Sequence, residues 1–400
     1  MNLRTKFVGS WGRLDMSFDE NTLYNIKTSL PGTRCPLFDL AIWKNGLAFK
    51  KIDFSEDGVP VIKIAELNNG IGSNTSFTEG DYGEEVRLHQ GDLLFSWSGN
   101  PQTSIDVYKY QLDDGWLNQH IFKVTANETM VSKDFLFYLL KYLKPHFTQI
   151  ATNKQTTGLG HVTIADLKRM SVVVPEKIIQ DRIVAVVKTI DDKIEANNEI
   201  NKNLFQQALM LFEHEYVEEN ASEHQIPLYD FAEYINGSAF RPDELGDTGL
   251  PVIKIAELKS GITDSTRFFD GDKGNRYLVV NGDILFSWSG NPETSIDIFI
   301  WADGNGILNQ HTFNVKSKYN CPWFTYLLLK YHKPLFTKVA SNKQTTGLGH
   351  VTAGDLKRLT FPFNLEQMRK FEDEISPSMS LYYNNLLENR RLESLSLNYS

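Results

Sequence analysis

The chain has 400 residues, 41% of them hydrophobic and 23% charged, with a net charge of −9. At about 150 residues per domain the length predicts two or three globular domains, and the ordinary composition excludes a fibrous or disordered chain. Two cysteines, Cys35 and Cys321, exclude a disulfide scaffold, and the negative charge excludes a uniformly basic coat but not a local basic surface.

At the start, Met1 to Lys6 leads into no apolar signal segment. No run of 18 apolar residues predicts a membrane span, so the cytoplasm is the expected compartment. Val61-Ile62-Lys63-Ile64 and the segment Asp92 to Trp97 read as strands between glycine-bearing turns. Ser104 to Tyr108 alternates as a half-buried strand would. Phe135 to Tyr142 reads as a short helix ending near Pro145, and Gly158-Leu159-Gly160 marks a tight loop. Glu176 to Val217 holds neither glycine nor proline. Its apolar residues, among them Ile183, Ile190, Ile194 and Leu204, recur every three or four positions, which predicts one long helix with an apolar stripe. Asn197, Asn198 and Asn201 interrupt that stripe.

The second half then repeats the first. Gly58 to Leu67 returns as Gly249 to Leu258, 191 residues later, and Gly91-Asp-Leu-Leu-Phe-Ser-Trp-Ser-Gly-Asn-Pro101 returns at Gly282 with the same offset. Leu117-Asn-Gln-His120 returns at Leu308. Asn153-Lys-Gln-Thr-Thr-Gly-Leu-Gly-His-Val-Thr163 returns at Asn342, an offset of 189, so two residues are lost near Glu128 and Tyr319. The period far exceeds a solenoid repeat of about 20 to 50 residues and implies one duplicated domain. A second stripe, including Phe371, Ile375 and Leu386, predicts a second long helix, in which Pro377 should introduce a kink or a fresh start. The two stripes are expected to pair antiparallel, with a globular unit at each end. The expected fold class is α+β, with boundaries at 1–175, 176–220, 221–362 and 363–400.

The motifs of self-sufficient enzymes are missing. Asn100-Pro101-Gln102 is not the Asn-Pro-Pro-aromatic loop of amino-methyltransferases. No phosphate-binding Gly-rich loop, His-Glu-x-x-His or nucleophile elbow is present. His120 and His161 read either as bases or as satisfied structural residues. Charge is more informative: Lys141, Lys144, Lys154, Lys168 and Arg169 cluster against Asp166, and Lys330, Lys333, Lys338, Lys343, Lys357 and Arg358 against Asp355. A local cation field beside amides and hydroxyls suits a phosphate backbone and base edges. The candidate DNA-binding residues are Lys63, Ser96, Trp97, Ser98, Asn100, Lys154, Gln155, Thr156 and Thr157, with Lys254, Ser287, Trp288, Ser289, Asn291, Lys343, Gln344, Thr345 and Thr346 in the second copy. Trp97 reads equally as a core residue at a strand end. Lys63, within an apolar strand, either snorkels or reaches a ligand.

A duplicated unit whose copies are each followed by a long helix resembles the specificity subunit of type I restriction–modification enzymes. The Ser-Trp-Ser-Gly-Asn-Pro turns, the Leu-Asn-Gln-His segments and the Thr-Thr-Gly-Leu-Gly-His…Asp-Leu-Lys-Arg segments carry the resemblance, twice in the same order. The resemblance implies two target-recognition domains, each reading half of a split double-stranded DNA site. It implies long helices that space the half-sites and dock two modification subunits, here through Ile183, Ile190, Ile194, Leu204, Phe371, Ile375 and Leu386. No cofactor or metal is expected on this chain. S-adenosylmethionine, ATP and Mg would belong to the modification and restriction subunits. Because the two copies are so similar, the half-sites are expected to form an inverted repeat. The rival readings are the specificity subunit of a fused restriction–methylation enzyme and a two-headed protein-binding scaffold that touches no DNA.

Overall fold

The computed structural model describes residues 24–26, 30–155, 158–220, 223–263, 265–344 and 347–399. It divides into two compact units, Met1–Thr189 with Ser396–Ser400, and Ile190–Leu395.

The first unit is built on an antiparallel sheet in the order Ala41–Asn45, Ile121–Ala126, Leu93–Ser96, Asp106–Lys109. Leu93 to Ser96 is buried throughout. The strand is covered on both faces, so alternate side chains serve different cores. Leu93 and Phe95 join a core with Phe135, Leu136, Phe147 and Ile150 from the helical side, and Leu94 joins one with Val61, Ile62 and Trp116. The latter lies on a mixed sheet ordered Phe77–Thr78, Val59–Ile62, Gly115–Leu117, Arg87–Leu88, in which Val59–Ile62 and Gly115–Leu117 run parallel.

The strand expected to run on through Lys63 stops at Ile62. Lys63 instead caps a short helix, Ile64–Asn69, its N–H donating to Glu66 Oε2 at 3.0 Å. A carboxylate three residues into the helix outweighs the local alternation that reads as strand. Pro145 does not merely end a helix. Lys133–Tyr142 stops, and Pro145 stands in the first turn of a second helix, Lys144–Asn153, where its missing N–H costs nothing.

The second unit repeats this plan, with sheets ordered Ala232–Asn236, Thr312–Ser317, Ile284–Ser287, Asp297–Ile300 and Phe268–Phe269, Leu250–Ile253, Gly306–Leu308, Leu278–Val279. The two missing residues fall between strand and helix, where 127–132 in the first copy corresponds to 318–321 in the second.

The first long helix is α-helical over Lys177–Leu211 and closes with a π-helical segment, Phe212–Glu218. The second, Leu365–Tyr399, runs unbroken through Pro377, contrary to the fresh start expected there. Ile375 and Met379, buried on either side of the exposed Pro377, hold it in place. Within the second unit the helices pair antiparallel through buried asparagines. Asn197 donates to Asn389 Oδ1 at 2.8 Å, and Asn385 to Asn201 Oδ1 at 2.9 Å. Two residues expected to dock partner subunits are spent inside this unit. Phe371 and Ile375 are 4% and 2% exposed, packed in the core with Phe212, Phe324 and Phe361. Leu386 packs against the same core, and Ile183 against that of the first unit. Ile190, Ile194 and Leu204 are half-buried, whereas Ile178, Val186, Ile200, Met210 and Leu211 are exposed.

Candidate nucleic-acid interface

In each unit three of the repeated segments meet at one edge. In the first, the central strand ends at Ser96, Trp97 follows it, and Ser98–Gly99 then pairs antiparallel with Gly160–His161. The Val162 N–H donates to the Trp97 carbonyl at 2.8 Å, and the Trp97 N–H to the His120 carbonyl at 3.2 Å. The Trp97 ring stacks on Phe122 with centroids 5.6 Å apart, flanked by His120 at 5.7 Å and His161 at 6.0 Å. Its indole N–H donates to Asn45 Oδ1 at 2.9 Å. Ser98 Oγ and His161 Nδ1 are hydrogen-bonded at 2.8 Å, and the Gln119 amide donates to His120 Nε2 at 3.3 Å. Burial, followed by the neighbouring His161, holds the His120 imidazole below its ordinary pKa. This favours the neutral ring, with a donor and an acceptor.

The second unit rebuilds this edge. Trp288 stacks on Phe313 at 5.6 Å, stands 5.8 Å from His311 and donates to Asn236 Oδ1 at 3.0 Å. Ser289 pairs with His350, and the Gln310 amide lies 3.4 Å from His311 Nε2. Asn45 and Asn236 were not among the expected site residues. Their signal is an Asn-Gly pair recurring 191 residues apart, too short to stand out by itself.

The other expected residues are divided by burial. Ser96 and Ser287 are fully buried and cannot reach a ligand, because the central strand is covered on both faces. Ser98 is buried against His161, and Ser289 is half-buried. Asn100 and Asn291 are exposed, but each side chain accepts backbone N–H groups of its own turn, at 2.9 Å from Gln102 and at 3.1 Å from Glu293. Gln155 and Gln344 are exposed. Thr156, Thr157, Thr345 and Thr346 lie outside the described residues. Lys63 donates to Ser76 Oγ at 3.0 Å and lies 5.3 Å from the Phe54 ring centre, while Lys254, also half-buried, caps the equivalent helix.

Part of the expected cation field is paired with carboxylates. Lys154 donates to both oxygens of the buried Asp166 at 2.5 and 2.6 Å, and Lys343 to those of Asp355 at 2.6 and 2.5 Å. Burial alone would raise the Asp355 carboxyl. Lys343 and Thr352 bring it down to about 2. Lys141 and Lys144 both engage Asp106, and Lys330 and Lys333 both engage Asp297. Lys154 and Lys343 therefore clamp the loop rather than stand ready for phosphate. Among the described residues, no group of three or more His, Cys, Asp or Glu side chains is placed to hold a metal ion. No described helix is long and apolar enough to cross a membrane.

The arrangement offers amides and imidazoles beside an aromatic ring, in duplicate, which suits hydrogen-bond reading of a polar surface. Comparison with known proteins identifies the family. The family described as type I restriction modification DNA specificity domain matches residues 35–206 and 224–395. The HindI type I restriction enzyme specificity subunit of Haemophilus influenzae is 28% identical over 133 residues, which cover 33% of this chain and 29% of that relative's length. The crystal structure of the type-I restriction-modification S subunit from M. genitalium superposes with a TM-score of 0.51 at 15% identity, covering 94% of this chain and 97% of that one.

Proposed function

Since the chain belongs to the type I restriction–modification DNA specificity family, we propose that it is a non-catalytic subunit whose two domains each read one half of a split site in double-stranded DNA. The observation that carries this reading is the duplicated edge. Tryptophan, asparagine, glutamine and histidine stand in matching positions in both units, with matching distances. Gln155, Gln119 and His120, with Gln344, Gln310 and His311, are the groups best placed to meet base edges, since amides read adenine bidentately. Trp97, Trp288, Ser98 and Ser289 support them from behind. Lys63 and Lys254 flank them as weaker candidates for phosphate.

Because the two edges are so alike, the half-sites should form an inverted repeat, the same bases on opposite strands around an unread spacer. The long helices would set that spacer. Their exposed apolar residues, Ile178, Val186 and Ile200 among them, are the natural docking points for two modification subunits. Those subunits would bind S-adenosylmethionine and methylate adenine. Restriction subunits would add ATP- and Mg-dependent cleavage.

The test is co-expression with the host's modification subunit followed by methylation sequencing. A split adenine motif with mirrored halves is the expected result. An asymmetric motif overturns the inverted repeat, and a stable complex with no selective methylation overturns the specificity role.

A further inference from the structure

The edge carries one feature that hydrogen bonding does not use. Leu159 is 52% exposed and Leu348 is 59% exposed, each at the tip of its Gly-Leu-Gly loop. A lone exposed leucine needs no explanation, but the duplication provides an internal control. Elsewhere among the described residues of 36–175 and 227–362, with one exception, an exposed apolar side chain in one copy meets a polar residue in the other: Ile42 matches Glu233, Ile52 matches Asp243, and Leu335 matches His146. Among the described residues of these spans, only Leu159 with Leu348 and Ile71 with Ile262 stay large, apolar and exposed in both. Ile262 follows Gly261, where a Cβ would meet Asp303 and Arg390, neither of them a residue of the edge. The leucines instead adjoin the strand pair formed by Ser98–Gly99 and Gly160–His161, and by its equivalent at Ser289–Gly290 and Gly349–His350.

Described residues on either side of each loop are held in place. Lys154 is clamped to Asp166 and Lys343 to Asp355. On the other side, a Cβ on Gly160 would stand 2.1 Å from the Ala151 carbonyl, and one on Gly349 would stand 2.2 Å from that of Ala340. Gly158 at φ +88° and Gly347 at φ +84°, directly before the leucines, adopt a backbone conformation that favours glycine. A leucine that directly precedes a glycine fixed against backbone is restrained on that side and loses less freedom on binding than one on a free chain. In the major groove, the apolar group among the base edges is the thymine 5-methyl. Resting on the DNA-specificity reading above, we propose that Leu159 and Leu348 each contact a thymine methyl in their own half-site and so help set the sequence read.

The experiment is methylation sequencing of the full chain with its modification subunit, for wild type, Leu159→Ala, Leu348→Ala and Leu159→Met. Leu159→Ala should let another base replace thymine at one position of one half-site, raising methylation of that variant site about fivefold to tenfold relative to the parent motif. Leu348→Ala should do the same at the mirror position, and Leu159→Met, which keeps an apolar tip, should retain the parent motif. A parent motif unchanged by both alanine variants, or a uniform loss at every site, overturns the leucine contact and leaves the specificity reading standing. A wild-type complex without selective methylation overturns both.

Discussion

Lys154 shows how a residue's role turns on a partner that is distant in sequence. Read by itself it is a loop lysine suited to phosphate. In the fold its ammonium is committed to a carboxylate with no solvent exposure. Arg169 and Thr163 also hold that carboxylate, so replacing Lys154 by Met removes one charged hydrogen-bond partner among several, a loss of about 1.5–3 kcal/mol. The expected outcome is a clear drop in Tm with little change in the salt slope of DNA binding, and Lys154→Met combined with Asp166→Asn should recover part of the loss. Asp355 adds a pH signature. Its folded pKa of about 2 lies below the ordinary value of about 3.9, so the stability it contributes is fully present above about pH 4 and is lost as the pH falls through 2. Asp355→Asn should therefore lower stability at neutral pH and flatten the acid-unfolding curve between pH 4 and 2. The loop's position was legible in the repeated motif. Its clamp was not, because a charge count along the chain gives no hint that Asp166 is enclosed.

At the scale of elements, the spacing of Phe371 and Ile375 announces a helix stripe but not which surface covers it. Core packing claims both, so Phe371→Ala should destabilise the chain by about 3–5 kcal/mol, as read by denaturant unfolding. Val186 lies on the open side of the first long helix. Val186→Lys should leave the unfolding midpoint within about 0.5 kcal/mol and weaken capture of the modification subunit in native mass spectrometry. Retained capture would move the docking surface elsewhere. Helix ends and strand lengths were legible wherever period and punctuation agreed. Lys63 and Pro145 misled because each sits at a junction, where one residue serves both the element that ends and the element that begins.

At the scale of the molecule, the duplication extends into the helices. Asn197 and Asn201 stand in the same spacing as Asn385 and Asn389, and each pair bonds to the other in reverse order. Buried asparagines of this kind fix the register of paired helices. A turn inserted in one helix alone would mismatch them. Matched insertions of one turn in both helices should keep the pairing and lengthen the spacer in the methylation motif by one or two base pairs, since a turn rises about 5.4 Å and a base pair about 3.4 Å. An unchanged spacer would remove the helices as its determinant. The repeat and the fold class were legible because the chain carries its own comparison. The asparagine pairing was visible only as an interruption of the stripe.

The central strand has a dynamic consequence. Leu94 and Phe95 are sequence neighbours that answer to different cores. Neither layer of the domain can open without disturbing the strand that both share. The amides of Leu93 to Ser96 should therefore be among the last to exchange with solvent deuterium, and should do so at the same free energy whichever core is weakened by substitution. Each domain would then melt as a single cooperative unit, and the duplicated edge, which begins at Trp97 directly after that strand, would inherit its rigidity.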